Sequence, residues 1–150
     1  MPRRRLGVAV LVPAPADRDV DALRRAFGDA ALGLVPPHLT LVPPVNVRED
    51  DLDAATALVD DAAAATRPFR LVLGPAATFW PVTPVLYLEA GDDDGRAAVL
   101  ELRERAFRPP LARPLSHRFE PHVTLGEVVG SANRLDAAVS AFSHFRAEVL

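Results

Sequence analysis

Two short stretches carry the residues best suited to chemistry. Pro37-His38-Leu39-Thr40-Leu41 and Pro121-His122-Val123-Thr124-Leu125 share one pattern: proline, histidine, aliphatic, threonine, leucine. An imidazole ordinarily titrates near ~6.5, so two can hold opposite protonation states at neutral pH. One can take a proton from a nucleophile while the other gives one to a leaving group. Phosphodiester cleavage and cyclic phosphate opening need both transfers. Threonine hydroxyls can donate hydrogen bonds to the non-bridging phosphate oxygens, whose negative charge such a site must hold. His38, Thr40, His122 and Thr124 thus supply an acid, a base and two phosphate donors. This logic calls for no metal and no other cofactor. A zinc site on the two histidines would need a third ligand, and no adjacent Asp or Glu has suitable spacing.

These side chains must be brought to one place by the elements that carry them. In a β-strand, the period of two sets His38 and Thr40 on one face and Leu39 and Leu41 on the other. His122 and Thr124 share a face in the same way. Composition and periodicity predict a first strand at residues 6–12 and a helix at 17–31, where Val20, Leu23 and Phe27 recur at helical spacing. The first motif strand spans 38–42 and is expected to stop at Pro43-Pro44. A helix at 49–66, a strand at 69–73, a loop or bent strand at 74–84 and a strand at 85–90 follow. The second part has a helix at 96–107, a proline-rich basic loop at 109–118, the second motif strand at 122–129 and a turn at Gly130-Ser131. A helix at 133–142 and a strand at 145–150 end the chain.

The two parts compare well. Each runs strand, helix, Pro-His-x-Thr-Leu strand, helix, strand. The likeness continues beyond the motifs. Leu52-Asp53-Ala54-Ala55 matches Leu135-Asp136-Ala137-Ala138, and Phe69-Arg70 matches Phe145-Arg146. An internal duplication explains this better than two chance motifs. The expected architecture is α+β and bilobal. Two β-α-β-α-β halves, at about 6–73 and 85–150, form one domain over 1–150. Two antiparallel-type sheets face each other across a central cleft, with the helices outside.

Bulk properties narrow the class. A chain of 150 residues is long enough for one domain with a substantial core. A formal net charge of −3 argues against non-specific binding to nucleic acid or to an anionic membrane surface. The absence of cysteine excludes disulfides, thiolate nucleophiles and cysteine-ligated zinc. Arg3-Arg4-Arg5, an apolar run and Ala14-Pro15-Ala16 have the outline of a signal peptide. The run is at the short limit, however, and Pro13 follows at once. A buried first strand is what the repeat requires. No run is long enough to span a bilayer, so no membrane partner is expected. The expected location is the cytoplasm and the expected state a monomer.

With both motifs in view, the chain resembles the two-histidine phosphoesterase superfamily, in the branch of bacterial and archaeal 2′-5′ RNA ligase-like proteins, or RNA 2′,3′-cyclic phosphodiesterases. Their signature is a pair of His-x-Thr/Ser motifs, each followed by an aliphatic residue. Here these are His38-Leu39-Thr40 and His122-Val123-Thr124, and Phe119 precedes the second. The resemblance covers essentially the whole chain. It implies metal-independent opening of a 2′,3′-cyclic phosphate to a 2′-phosphate, on an RNA end or a small cyclic nucleotide. By that analogy His38 protonates the leaving 3′-oxygen, His122 activates water, and Thr40 and Thr124 hold the phosphate.

Three departures bear on the substrate. Many relatives carry an arginine a few residues past the second motif, where this chain has Leu125-Gly126-Glu127. Many carry a phenylalanine shortly after the first, where this chain has Pro43-Pro44. The strand from Phe145 is the last, where relatives often continue. Arg118, Arg113 or Arg108 could replace the missing cation. Phe79, Trp80 and Tyr87 are candidates to stack on a base. Two alternatives stand beside the leading one. The same fold could be a nucleotide- or RNA-binding module without turnover, or a two-histidine enzyme acting on ADP-ribose cyclic phosphate or oligonucleotide 3′ ends.

Overall fold

The computed structural model describes residues 2–128 and 132–149. Its strands are β1 (Arg3–Leu11), β2 (His38–Arg48), β3 (Leu71–Thr78), β4 (Val85–Ala90), β5 (His122–Glu127) and β6 (Ala147–Val149). The α-helices are α1 (Ala16–Phe27), α2 (Leu52–Ala64), α3 (Asp93–Ala106) and α4 (Ala132–Ala141), with a short 3-10 turn, Glu49–Asp51, leading into α2. The expected turn at Gly130-Ser131 lies outside the described residues, as do Val129 and Leu150 at the ends of two expected strands. Among the described residues no helix is long and apolar enough to cross a membrane.

The fold is α+β, but the strands form one sheet rather than two. Their order is β1-β2-β5-β4-β3-β6 and every pairing is antiparallel. The expected separation into two facing sheets fails at the motif strands. β2 and β5 meet edge to edge, with Leu39 opposite Val123. Each would otherwise present a row of unpaired backbone groups, and pairing satisfies them.

The strand β2 also runs further than its sequence suggests. Prolines usually end a strand, because they donate no backbone hydrogen bond. Here Pro43 and Pro44 together face Gly7, between the pairs Leu6–Val45 and Val8–Val42. The extra residue makes a bulge, and a bulged position needs no ladder donor. Beyond it the strand continues to Arg48. The expected loop after residue 73 is likewise mostly strand, since β3 extends to Thr78 and pairs with β4.

Packing beneath the sheet follows from the alternation of the motif strands. Leu39, Val123, Leu88 and Leu125 are all at most 2% exposed and belong to one apolar cluster. α1 buries Val20 and Phe27, and Gly28, at φ 90°, closes the helix with its N–H on the Arg24 carbonyl. Arg24 is a basic residue of the last turn of α1. It is buried, with Nε donating to Asp29 Oδ2 at 2.7 Å and Nη1 to Asp21 Oδ1 at 2.9 Å.

The α1 helix meets β5 at Gly126. A Cβ there would fall 2.6 Å from the Phe27 ring. Arg134 of α4 also holds that ring: its guanidinium lies 5.0 Å from the ring centroid and donates to the Phe27 carbonyl.

Candidate active site

Antiparallel pairing of β2 with β5 sets the geometry of the motifs. Carrying the register one residue either side of Leu39–Val123 puts His38 opposite Thr124 and Thr40 opposite His122. The histidines are then diagonal neighbours on one face, about 7–8 Å apart by sheet geometry and somewhat closer at Cβ. The adjoining strands continue the rows. Leu11 faces His38 and Ala9 faces Thr40 on one side. Tyr87 faces Thr124 and Glu89 faces His122 on the other.

Both histidines are held in the same way. His38 Nδ1 lies 2.9 Å from the Pro36 carbonyl oxygen, and His122 Nδ1 lies 2.7 Å from that of Glu120. A carbonyl oxygen only accepts, so in each ring Nδ1 carries the hydrogen. Nε2 is left as the nitrogen that can take or give a proton at the sheet face. In each case the acceptor lies two residues upstream, with the motif proline between. Proline holds that short segment extended, which brings its carbonyl back toward the ring.

A cavity of about 540 Å³ opens over this face and is lined in part by Thr40, His122 and Thr124. This is a usual size for a small-molecule site. Its walls come from two loops. One brings Phe79, Val82 and Thr83, and the other brings Arg113 and the run from Leu115 to Glu120. His38 lines a smaller neighbouring cavity, and Thr40 is the wall the two cavities share.

The other residues singled out in the sequence are placed unevenly. Arg118 is exposed and lines the cleft, as does His117. Arg113 lines it too, but its Nε donates to the Pro44 carbonyl at 3.0 Å and ties the basic loop to β2. Arg108 and Trp80 do not line the cleft. Glu127 is exposed on β5, opposite Val85.

The rings of Phe79 and Tyr87 mainly serve His122. They stack on each other with centroids 4.1 Å apart. Both meet the imidazole edge-on, Phe79 at 5.0 Å and Tyr87 at 5.4 Å. Tyr87 is buried and lies outside the cavity lining, which removes it as a platform for a base. Burial, followed by the charges of Glu89 and Glu120, pushes its phenol above the ordinary tyrosine value, so it stays neutral under His122.

Two residues of the site had no signal in the sequence. Glu120 lines the cleft, and its carboxylate takes two hydrogen bonds from Arg96, at 2.7 and 3.2 Å. The Arg96 guanidinium is pushed above its ordinary value, first by that hydrogen bond. The two lie 24 residues apart, so no local spacing announces the pair. Among the described residues no group of three or more His, Cys, Asp or Glu could hold a metal ion.

Known proteins match this chain along most of its length. It is 30% identical over 121 residues to "Putative phosphoesterase BH1439" of Halalkalibacterium halodurans, an overlap covering 81% of this chain and 68% of that protein. It is 26% identical over 132 residues to a "Putative phosphoesterase" of Bacillus cereus and to another of Bacillus anthracis, covering 88% of this chain and 74% of each. The family described as the 2'-5' RNA ligase superfamily matches residues 12–149, which include both His-x-Thr motifs. A match of that extent establishes that the chain belongs to the 2'-5' RNA ligase superfamily.

Proposed function

We propose that this protein is a metal-independent phosphoesterase that opens the 2′,3′-cyclic phosphate of an RNA end or small nucleotide, working as a cytoplasmic monomer. The observation that carries this reading is the matched setting of the two imidazoles. They sit diagonally on adjacent strands, each with Nδ1–H spent on a carbonyl two residues upstream. Each ring therefore offers one nitrogen, Nε2, for proton exchange.

In this reaction water attacks phosphorus as the bond to the 3′-oxygen breaks. His122 takes the proton from the water, and protonated His38 gives one to the departing 3′-oxygen. The product is a 2′-phosphomonoester with a free 3′-hydroxyl. Thr40 and Thr124 donate to the non-bridging oxygens, where charge builds in the transition state. Arg118 supplies the cation that the position of Glu127 does not.

The test is incubation of the purified chain, in EDTA, with 2′,3′-cyclic mononucleotides and with an RNA ending in a cyclic phosphate. The expected product carries its phosphate on the 2′-oxygen. Substrate that binds and returns unchanged would identify a binding module instead. Activity lost in EDTA and restored by zinc would overturn the metal-free mechanism.

A further inference from the structure

We infer that Arg96 and Glu120 are a positioning pair for His122, and that Arg96 also keeps the cleft free of an uncompensated negative charge. The inference rests on His122 being a proton-transfer residue of the proposed reaction.

Glu120 has two connections. Its backbone carbonyl accepts the Nδ1–H of His122 at 2.7 Å, which sets the ring's tautomer and direction. Glu120 lines the cleft, and its carboxylate is gripped by both terminal nitrogens of Arg96. Arg96 stands in the first turn of α3, a start fixed by the Asp92 side chain accepting from the Gly95 N–H at 2.9 Å. The fork geometry restrains position as well as charge. Through Glu120, a helix on another part of the chain thus holds the carbonyl that orients the imidazole.

The charge argument is separate. A cleft that binds a phosphodiester must not carry a bare carboxylate beside the phosphate. The charged and titratable groups around His122 are Tyr87 and Glu89 from β4, His38 from β2, Glu120 itself, and Arg113, His117 and Arg118 from the loop. Glu89 lies outside the cavity lining, so Arg96 pairs with the carboxylate that does line it and leaves Arg118 to the substrate. His38 has no counterpart to this pair, because its carbonyl partner belongs to Pro36.

Three variants of the full chain separate the two effects: Arg96→Met, Arg96→Lys, and Arg96→Met combined with Glu120→Gln. Imidazole 15N NMR of the ligand-free protein reads the His122 tautomer without any need for turnover. Kinetics on a 2′,3′-cyclic mononucleotide read KM and kcat. Wild type should show the Nδ1–H form, and Arg96→Met a mixture of tautomers with KM raised on the order of 10-fold. Arg96→Lys keeps the charge and should hold KM near wild type while loosening the tautomer. The double variant should bring KM back toward wild type with the tautomer still mixed. A folded Arg96→Met protein with an unchanged His122 tautomer and unchanged KM would overturn the inference, as would a double variant no better than the single one. If wild type cleaves no cyclic phosphate, the proposed reaction fails, and the NMR result still decides the pair.

Discussion

Leu39 lies directly opposite Val123, and this antiparallel pair joins the two motif strands. Both side chains are buried in the core, at 2% and 0% exposure. The pair therefore works from below: apolar packing under the sheet sets the spacing of the histidines and threonines above it. Each middle residue of His-x-Thr is the anchor for its two polar neighbours.

Truncating that anchor should cost both stability and geometry. Leu39→Ala removes a buried side chain at the strand junction and should destabilise the fold by about 2–5 kcal/mol. Urea titration checks this. A conservative Leu39→Met, at similar volume, should cost less than about 1.5 kcal/mol and keep the site working. Equal losses for both would argue against a packing role.

Gly126 predicts a steric effect on the site from outside it. A Cβ at this position would come within 2.6 Å of the Phe27 ring, which Arg134 holds in place. Gly126→Ala must therefore displace the Phe27 ring or shift α1 against β5, the strand that carries His122 and Thr124. Overpacking of this kind typically costs about 1–3 kcal/mol. Paired with Phe27→Leu, the alanine should cost less, and a double-mutant cycle measures the recovery.

The phenol of Tyr87 makes stability depend on alkaline pH. Its folded value is raised by burial and then by Glu89 and Glu120. The folded state therefore keeps its proton to higher pH than the unfolded chain. The stabilisation is complete below the ordinary tyrosine value near ~10 and is lost as pH climbs through the folded value. Tyr87→Phe removes this dependence. Denaturant curves of both proteins across that range should show a steeper alkaline loss in wild type, and parallel loss would contradict the assignment.

Arg118 should act on binding more than on chemistry. It is exposed at the cleft while Arg113 is tied to Pro44. Arg118→Ala should raise KM for a cyclic nucleotide on the order of 10-fold, weaken the salt dependence of kcat/KM, and leave stability within about 0.5 kcal/mol. An Arg118→Ala enzyme with wild-type KM would assign the phosphate contact elsewhere.

Much of this organisation was legible in the residues themselves. The period of two along Pro-His-x-Thr-Leu marks His38, Thr40, His122 and Thr124 as a polar face over Leu39 and Val123, and local sterics enforce it. The joining of β2 to β5 was not legible, because edge pairing between distant strands depends on which backbones lack partners. The Pro43-Pro44 stop was misjudged because the bulge opposite Gly7 depends on a strand 37 residues away. Tyr87 could not be told from a substrate-stacking ring, since residue type does not say whether an aromatic lies above the sheet face or under a neighbour. Arg96 and Glu120 meet only once α3 has packed, and no spacing in the chain encodes their contact.

The most direct test of the two-histidine account is the turnover of a 2′,3′-cyclic nucleotide by His38→Ala and by His122→Ala, each first shown to be folded. Both should lose on the order of 10²–10⁴ in kcat, and the bell-shaped pH profile of wild type should lose one limb in each variant. Near-full activity in either protein would mean that its imidazole moves no proton in the reaction, and the account would be wrong.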